Sequence, residues 1–186
     1  MIIIGITGIL GAGKGTVVDY LTEEKGFKHY SARAFITEEI ERRGLSVDRD
    51  TMTEVSNDLR KSNSPAYIIE QLYNIAELEG HSAVIESIRT SGEVEFLKSK
   101  GDFHLLSVDA PSKIRYERIS TRGSETDNVS FEKFLADEER EMKSVDPNKQ
   151  NIGWCVDHAD YKLMNDGTVE DLQKDVDIIL KKINHI

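Results

Sequence analysis

Apolar positions in this chain fall into short β-branched runs that alternate with stretches of helical spacing. Ile2 to Ile6 is such a run and ends in Thr-Gly, as expected of a strand buried on both faces. After a glycine-rich turn, Val17, Val18 and Leu21 recur at helical spacing between Thr16 and Lys25, and Gly26 is placed to stop that helix. Phe27 to Tyr30 predicts a second strand, and Ser31 an N-cap for a helix to about Arg43, closed by Gly44. Met52, Val55 and Leu59 predict a helix over 48–64, and Pro65 suits the first turn of the next, which carries Ile68, Ile69, Leu72, Ile75 and Ala76. Gly80 and His81 turn into a strand at Ala83 to Glu86. A helix around Gly92 to Ser99, a strand at Phe103 to Val108 and a helix from Pro111 to about Thr121 follow. Residues 123–153 break the alternation: they are rich in charge and predict one helix, Phe131 to Met142, and no strand. Tyr161 to Met164 reads as the last strand and Val169 to Ile183 as an amphipathic closing helix. The alternation predicts an α/β domain with a mostly parallel sheet covered on both faces. With no repeat or linker, a single domain spanning 1–186 is expected.

Composition narrows the function classes. The 186 residues are 38% hydrophobic and 31% charged, with 34 acidic against 24 basic residues and a net charge of -10. That balance argues against a nucleic-acid surface, which needs clustered cations to displace counterions. A local basic pocket for a small polyphosphate, carried as its magnesium complex, is compatible with it. Cys155 is the only cysteine, which excludes an intramolecular disulfide and a thiolate metal cage. The five histidines are scattered without metal-ligand spacing. The opening apolar run is too short for a signal peptide and has no basic residues before it, and no segment approaches a membrane span. A cytoplasmic chain with no membrane partner is the expectation.

The sharpest chemical signal is Gly8-Ile9-Leu10-Gly11-Ala12-Gly13-Lys14-Gly15-Thr16, directly after a strand and before a helix. Gly8, Gly13 and Lys14 satisfy the Walker A spacing. Glycines allow positive φ and bring backbone N–H groups to phosphate oxygens, the helix N-terminus adds partial positive charge, and Lys14 supplies an ammonium for the β- and γ-phosphates. ATP is therefore the expected ligand, through Gly8, Gly11, Ala12, Gly13, Lys14, Gly15 and Thr16. The usual hydroxyl next to the lysine is replaced by Gly15, so magnesium is expected to rest more on phosphates and water, with Thr16 one step further on.

The Gly-Lys-Gly-Thr ending resembles adenylate kinase and its nucleoside-monophosphate kinase relatives. The rest of the chain is similar to a mainly archaeal family of P-loop kinases related to adenylate kinase and dephospho-CoA kinase. The resemblance runs through Glu39 to Leu45, Glu86-Ser-Ile-Arg89-Thr-Ser-Gly-Glu-Val-Glu95, Phe134-Leu-Ala-Asp-Glu-Glu-Arg-Glu141, and Ala159-Asp-Tyr161 with Asn165. It implies a doubly wound five-stranded parallel sheet, an acceptor-binding helical region over about 31–80 and a helical lid over about 123–153. By position it implies that Glu86 holds the water shell of Mg2+ and that Arg89 grips the acceptor phosphate. Both also lie at the C-terminal end of a buried strand, where open α/β sheets place ligands; the plainer reading of Glu86 is a helix-capping or surface carboxylate. Arg118 is expected on the adenine and Arg122 on the transferring phosphate, against a plain reading as i,i+4 surface charge. Arg140 is expected to close with the lid, against a solvated helix charge. Ser31, Arg33 and Arg60 fall in the acceptor region; Tyr67 and Tyr73 there are candidates to stack on a base, although aromatic residues at this spacing are more often simply core.

The expected activity is transfer of a phosphoryl group from ATP to a nucleoside or deoxynucleoside monophosphate, by positioning and charge neutralisation through Lys14, Arg89, Arg122 and Arg140. Dephospho-CoA phosphorylation is the alternative within the class. A regulatory ATPase acting through a protein is the alternative outside it. A GTPase switch would need an Asn-Lys-x-Asp guanine reader, and the sequence has none.

Overall fold

Five strands pair side by side, all parallel, in the order β2-β3-β1-β4-β5. The computed structural model describes residues 1–123 and 129–183. β1 (Ile3–Thr7) is central, between β3 (Ala83–Glu86) and β4 (Phe103–Asp109), with β2 (Lys28–Ser31) and β5 (Tyr161–Met164) at the edges. Ile6 pairs with Glu86, and Thr7 with Ser107, so β1 and β3 end within a residue of each other and β4 runs two residues further. Strand order reverses on either side of β1, which opens a crevice at the carboxyl ends of the strands.

Side-chain alternation builds two cores. Ile3, Ile85 and Leu105 face one side of the sheet, where α2 (Ala32–Arg42), α3 (Arg49–Ser62), α4 (Tyr67–Glu79) and α5 (Ser91–Ser99) cover them. Ile4, Ile6, Val84, Leu106 and Val108 face the other, against α1 (Lys14–Glu23) and α9 (Val169–Ile183). Boundaries follow local chemistry. Ser31 accepts the Ala34 N–H at 3.1 Å and starts α2, and Gly80 in the left-handed region ends α4. α1 starts at Lys14, two residues before the Thr16 start that side-chain spacing suggested, because Gly13 at φ 95 serves as its N-cap without a side chain.

α6 (Ser112–Arg122) and α7 (Phe131–Met142) are joined by rings. Tyr116, Phe131 and Phe134 form a cluster with centroids 5.0–6.1 Å apart. Phe134 is fully buried, a contribution of about 2–3 kcal/mol, larger than that of any exposed ion pair along α7. Residues 124–128, within the expected lid, lie outside the described residues. At the other end of that stretch Gln150 and Ile152 are buried, so its last residues belong to the core. There the chain forms α8 (Ile152–Asp157), a helix the sequence pattern did not foresee because six residues are too few to show a period. Asn151 caps it, accepting the Trp154 N–H at 3.3 Å, and sends Ile152 into one core and Cys155 into the other.

Candidate active site

The turn from β1 into α1 is held from behind by three elements. Gly8, at φ 139, lies so close to β4 that a Cβ there would sit 2.2 Å from the Val108 carbonyl oxygen. Gly13 is pressed on Asn165, just past β5, whose Nδ2 would meet a Cβ at 2.0 Å. Asn165 Nδ2 donates to the Ala12 carbonyl at 2.9 Å, and its own carbonyl accepts from Arg118 Nη2 at 3.0 Å. The front of the loop is open: a Cβ on Gly15 would meet nothing within 4 Å. Lys14 Nζ curls back and donates to the Gly8 and Ile9 carbonyls at 2.8 and 2.9 Å. Removal from bulk water, and next the charge of Arg89, lower its pKa to about 7.

A second set of groups comes from the end of β3. Glu86 Oε1 accepts from Ser31 Oγ at 2.8 Å, and its Oε2 accepts from Ser87 Oγ. Ser87 is the one non-glycine residue with positive φ among the described residues, at 67°, and it turns the chain between Glu86 and Arg89. Arg89 Nη1 donates to Gln150 Oε1 at 2.8 Å and to Glu141 Oε2 at 3.0 Å. Its backbone N–H is taken by Glu93 Oε2 at 2.7 Å in a capping box with Thr90. The other oxygen of Glu93 receives Arg60 Nε and Nη2 at 3.0 and 2.9 Å. Arg60 is therefore largely engaged inside the protein, while its buried Nη1 has no hydrogen-bond partner among the described residues.

These groups surround one cavity of about 550 Å3, within the usual range for small-molecule sites. Gly11, Gly13, Lys14, Gly15 and Thr16 line it, and so do Arg118 and Arg122 from α6. Glu86 and Arg89, together with Arg33 and Arg60 from the expected acceptor region, complete the wall. Gly8 and Ala12 form the back of the loop, outside that wall, and Ser31 reaches it only through Glu86. Arg140 is not brought in: it is half exposed and bonds Asp50 of α3 and Asp137 of its own helix. Four residues that sequence reasoning did not single out belong to the arrangement: Arg49, Glu141 and Gln150 in the wall and Glu93 behind it. Only Glu93 had a local signal, the Thr-x-x-Glu spacing from Thr90. Seven basic side chains (Lys14, Arg33, Arg49, Arg60, Arg89, Arg118, Arg122) line the cavity against three carboxylates (Asp19, Glu86, Glu141), in a chain whose net charge is -10. Such a pocket suits a polyanion.

A parallel five-stranded sheet with a phosphate-type loop after its central strand defines the P-loop kinase-like class. Residues 4–146 match the AAA domain family. Over 183 residues the chain is 31% identical to a UPF0200 protein of Pyrobaculum aerophilum, covering 97% of this chain and 98% of that one. The chain belongs to the UPF0200 family. Among solved structures it is similar to shikimate kinase from Aquifex aeolicus, with a TM-score of 0.58, 18% identity and 97% of both chains covered. It is also similar to dephospho-CoA kinase from Campylobacter jejuni, with a TM-score of 0.56, 16% identity and 97% and 96% covered. At such identities the likeness is one of fold. Among the described residues no helix is long and apolar enough to cross a membrane.

Proposed function

We propose that this chain is an ATP-dependent phosphotransferase whose acceptor is a small nucleotide-like molecule, a nucleoside or deoxynucleoside monophosphate. The carrying observation is that Lys14 of the loop and Arg89 beyond β3 line one cavity, where basic groups outnumber carboxylates seven to three. The loop backbone and the α1 N-terminus receive the donor phosphates. Lys14, released from the Gly8 and Ile9 carbonyls, follows the β- and γ-phosphates, and Arg122 neutralises charge on the transferring group. Arg118, fixed by Asn165 beside Gly13, bounds the donor side. Arg89, with Arg33 and Arg60, faces the acceptor. Arg140 would join only after α7 shifts.

Among the described residues no cluster of three or more acidic, histidine or cysteine side chains forms a metal cage. The hard oxygens of Glu86 and Thr16 on the cavity wall fit magnesium carried in by nucleotide phosphates. Bound there, the ion would supply neutralisation of phosphate charge. Glu86, fixed by two serine hydroxyls, would hold the water around it. The same carboxylate beside the loop is the observation that favours a second reading, an ATPase that activates water.

The test is ADP release from ATP and magnesium across a panel of nucleoside monophosphates, deoxynucleoside monophosphates and dephospho-CoA. At least one acceptor should raise turnover, and Lys14→Ala should abolish the increase while keeping the fold. Turnover indifferent to every acceptor would leave the ATPase reading in its place.

A further inference from the structure

One wall of the cavity already holds an anion, and it comes from the protein. Glu141, on the last turn of α7, is 6% exposed and reaches between two guanidiniums from distant parts of the chain. Its Oε1 accepts from Arg49 Nη2 of α3 at 2.7 Å, and its Oε2 accepts from Arg89 Nη1 at 3.0 Å. Burial pushes the pKa of Glu141 up, but the charges of Arg89 and Arg49 outweigh that and hold it below the ordinary carboxylate value. A carboxylate with each oxygen on a different arginine has the geometry of a bound oxyanion. All three side chains face the same cavity as Lys14.

The arginines have further supports. Gln150 Oε1 accepts from Arg89 Nη1 at 2.8 Å, and the Asp137 carboxylate lies 3.5 Å from Arg49 Nε. When Glu141 swings away, Gln150, which lies outside α7, keeps the Arg89 guanidinium aimed at the vacated position. Asp137 is itself shared with Lys133 and Arg140, at 3.1 and 3.2 Å. The pair of arginines therefore keeps an excess of positive charge once Glu141 has left.

We propose that Glu141 is a built-in stand-in for the acceptor's oxyanion, which binds between Arg49 and Arg89 by displacing it. The ligand class is a phosphate monoester or a carboxylate, and Arg49 is an acceptor-binding residue alongside Arg89. Because Glu141 belongs to α7, its displacement also breaks that helix's direct ties to Arg49 Nη2 and Arg89. Acceptor binding and release of α7 are then one event, and in the acceptor-free protein Glu141 shields the two cations from other anions. The inference rests on the acceptor reading of this side of the cavity, yet it is a statement about anion binding that holds whether or not transfer occurs.

The test is calorimetric titration of inorganic phosphate into the full chain saturated with a non-hydrolysable ATP analogue, so that the loop is occupied. Glu141→Gln, which keeps the shape and removes the competing charge, should tighten phosphate binding roughly tenfold, the scale of one charge-assisted hydrogen bond. Arg49→Ala should weaken it by a similar factor. In the unaltered chain, phosphate should speed amide exchange in residues 131–142. If Glu141→Gln binds phosphate no more tightly than the parent, or Arg49→Ala binds it equally well, the proposal is overturned. Should a variant unfold, the phosphate-induced rise in Tm of Glu141→Ala relative to the parent decides instead: a larger rise supports displacement, and an equal or smaller one sinks it. An intact effect without phosphoryl transfer to any acceptor would refute the kinase reading and leave this one standing.

Discussion

Lys14 shows how much a single position carries. Its ammonium is drawn from water and placed near Arg89, which brings its pKa down to about 7 in the ligand-free chain. A polyphosphate in the loop reverses the sign of the surrounding charge and raises that pKa toward the ordinary lysine value. At pH 8, between the two, Lys14 is mostly neutral when free and charged when bound. ATP binding should therefore take up close to one proton at pH 8 and much less at pH 6. Calorimetry in buffers of different ionisation enthalpy measures this, and Lys14→Met should remove the uptake. Lys14, Gly8 and Gly13 were legible in the sequence because phosphate chemistry fixes their spacing. The partners of Arg60 and Gly13 were not, since Glu93 lies 33 residues from the first and Asn165 belongs to the far end of the chain. Arg49 gave no signal at all, being one charge at the start of an ordinary helix.

At the level of elements, the loop and α7 are held by different means. The loop is wedged against backbone. Gly8→Ala should cost about 2–5 kcal/mol of stability in urea unfolding, because a positive φ and a contact with the Val108 carbonyl must both be relieved. α7 is tied to the loop through Arg115. That buried guanidinium donates to the Ala110 carbonyl at 2.7 Å and the Leu10 carbonyl at 3.4 Å, and grips Glu138 of α7 with both Nη atoms at 2.5 and 3.1 Å. Arg115→Met should leave α6 folded and raise amide exchange in residues 131–142, while equal protection there would mean that the rings and the ion pairs of Asp137, Arg140 and Glu141 hold the helix without it. α8 supplies a control: burial pushes the Cys155 thiol up to about 12, so alkylation at pH 8 should wait for unfolding. Long elements were legible because period and capping residues agree, as at Ser31 and Gly80. α8 was hidden because its reason for folding is tertiary, with two buried side chains entering two cores.

For the whole molecule, topology and charge distribution act together. The reversal of strand order around β1 gathers the ends of β1, β3 and β4, so that residues from 10 to 150 share one cavity. The parallel sheet was readable from strand–helix alternation and its doubly wound five-stranded form from the resemblance to P-loop kinases, whereas the strand order rests on pairing between distant segments and was not read. A net charge of -10 hides a cationic interior, because most of the acidic residues lie away from the cavity. Net charge had argued against nucleic acid, and that inference concerned the surface; the cavity has the opposite sign. On the proposed reading, donor and acceptor meet in this one cavity and transfer between them is direct. The most direct measurement is a single turnover of ATP carrying a labelled γ-phosphate with the acceptor that raises ADP release. The label should appear in the acceptor, and Lys14→Ala should leave it in ATP. Label recovered as inorganic phosphate, at the same rate with and without acceptor, would contradict direct transfer.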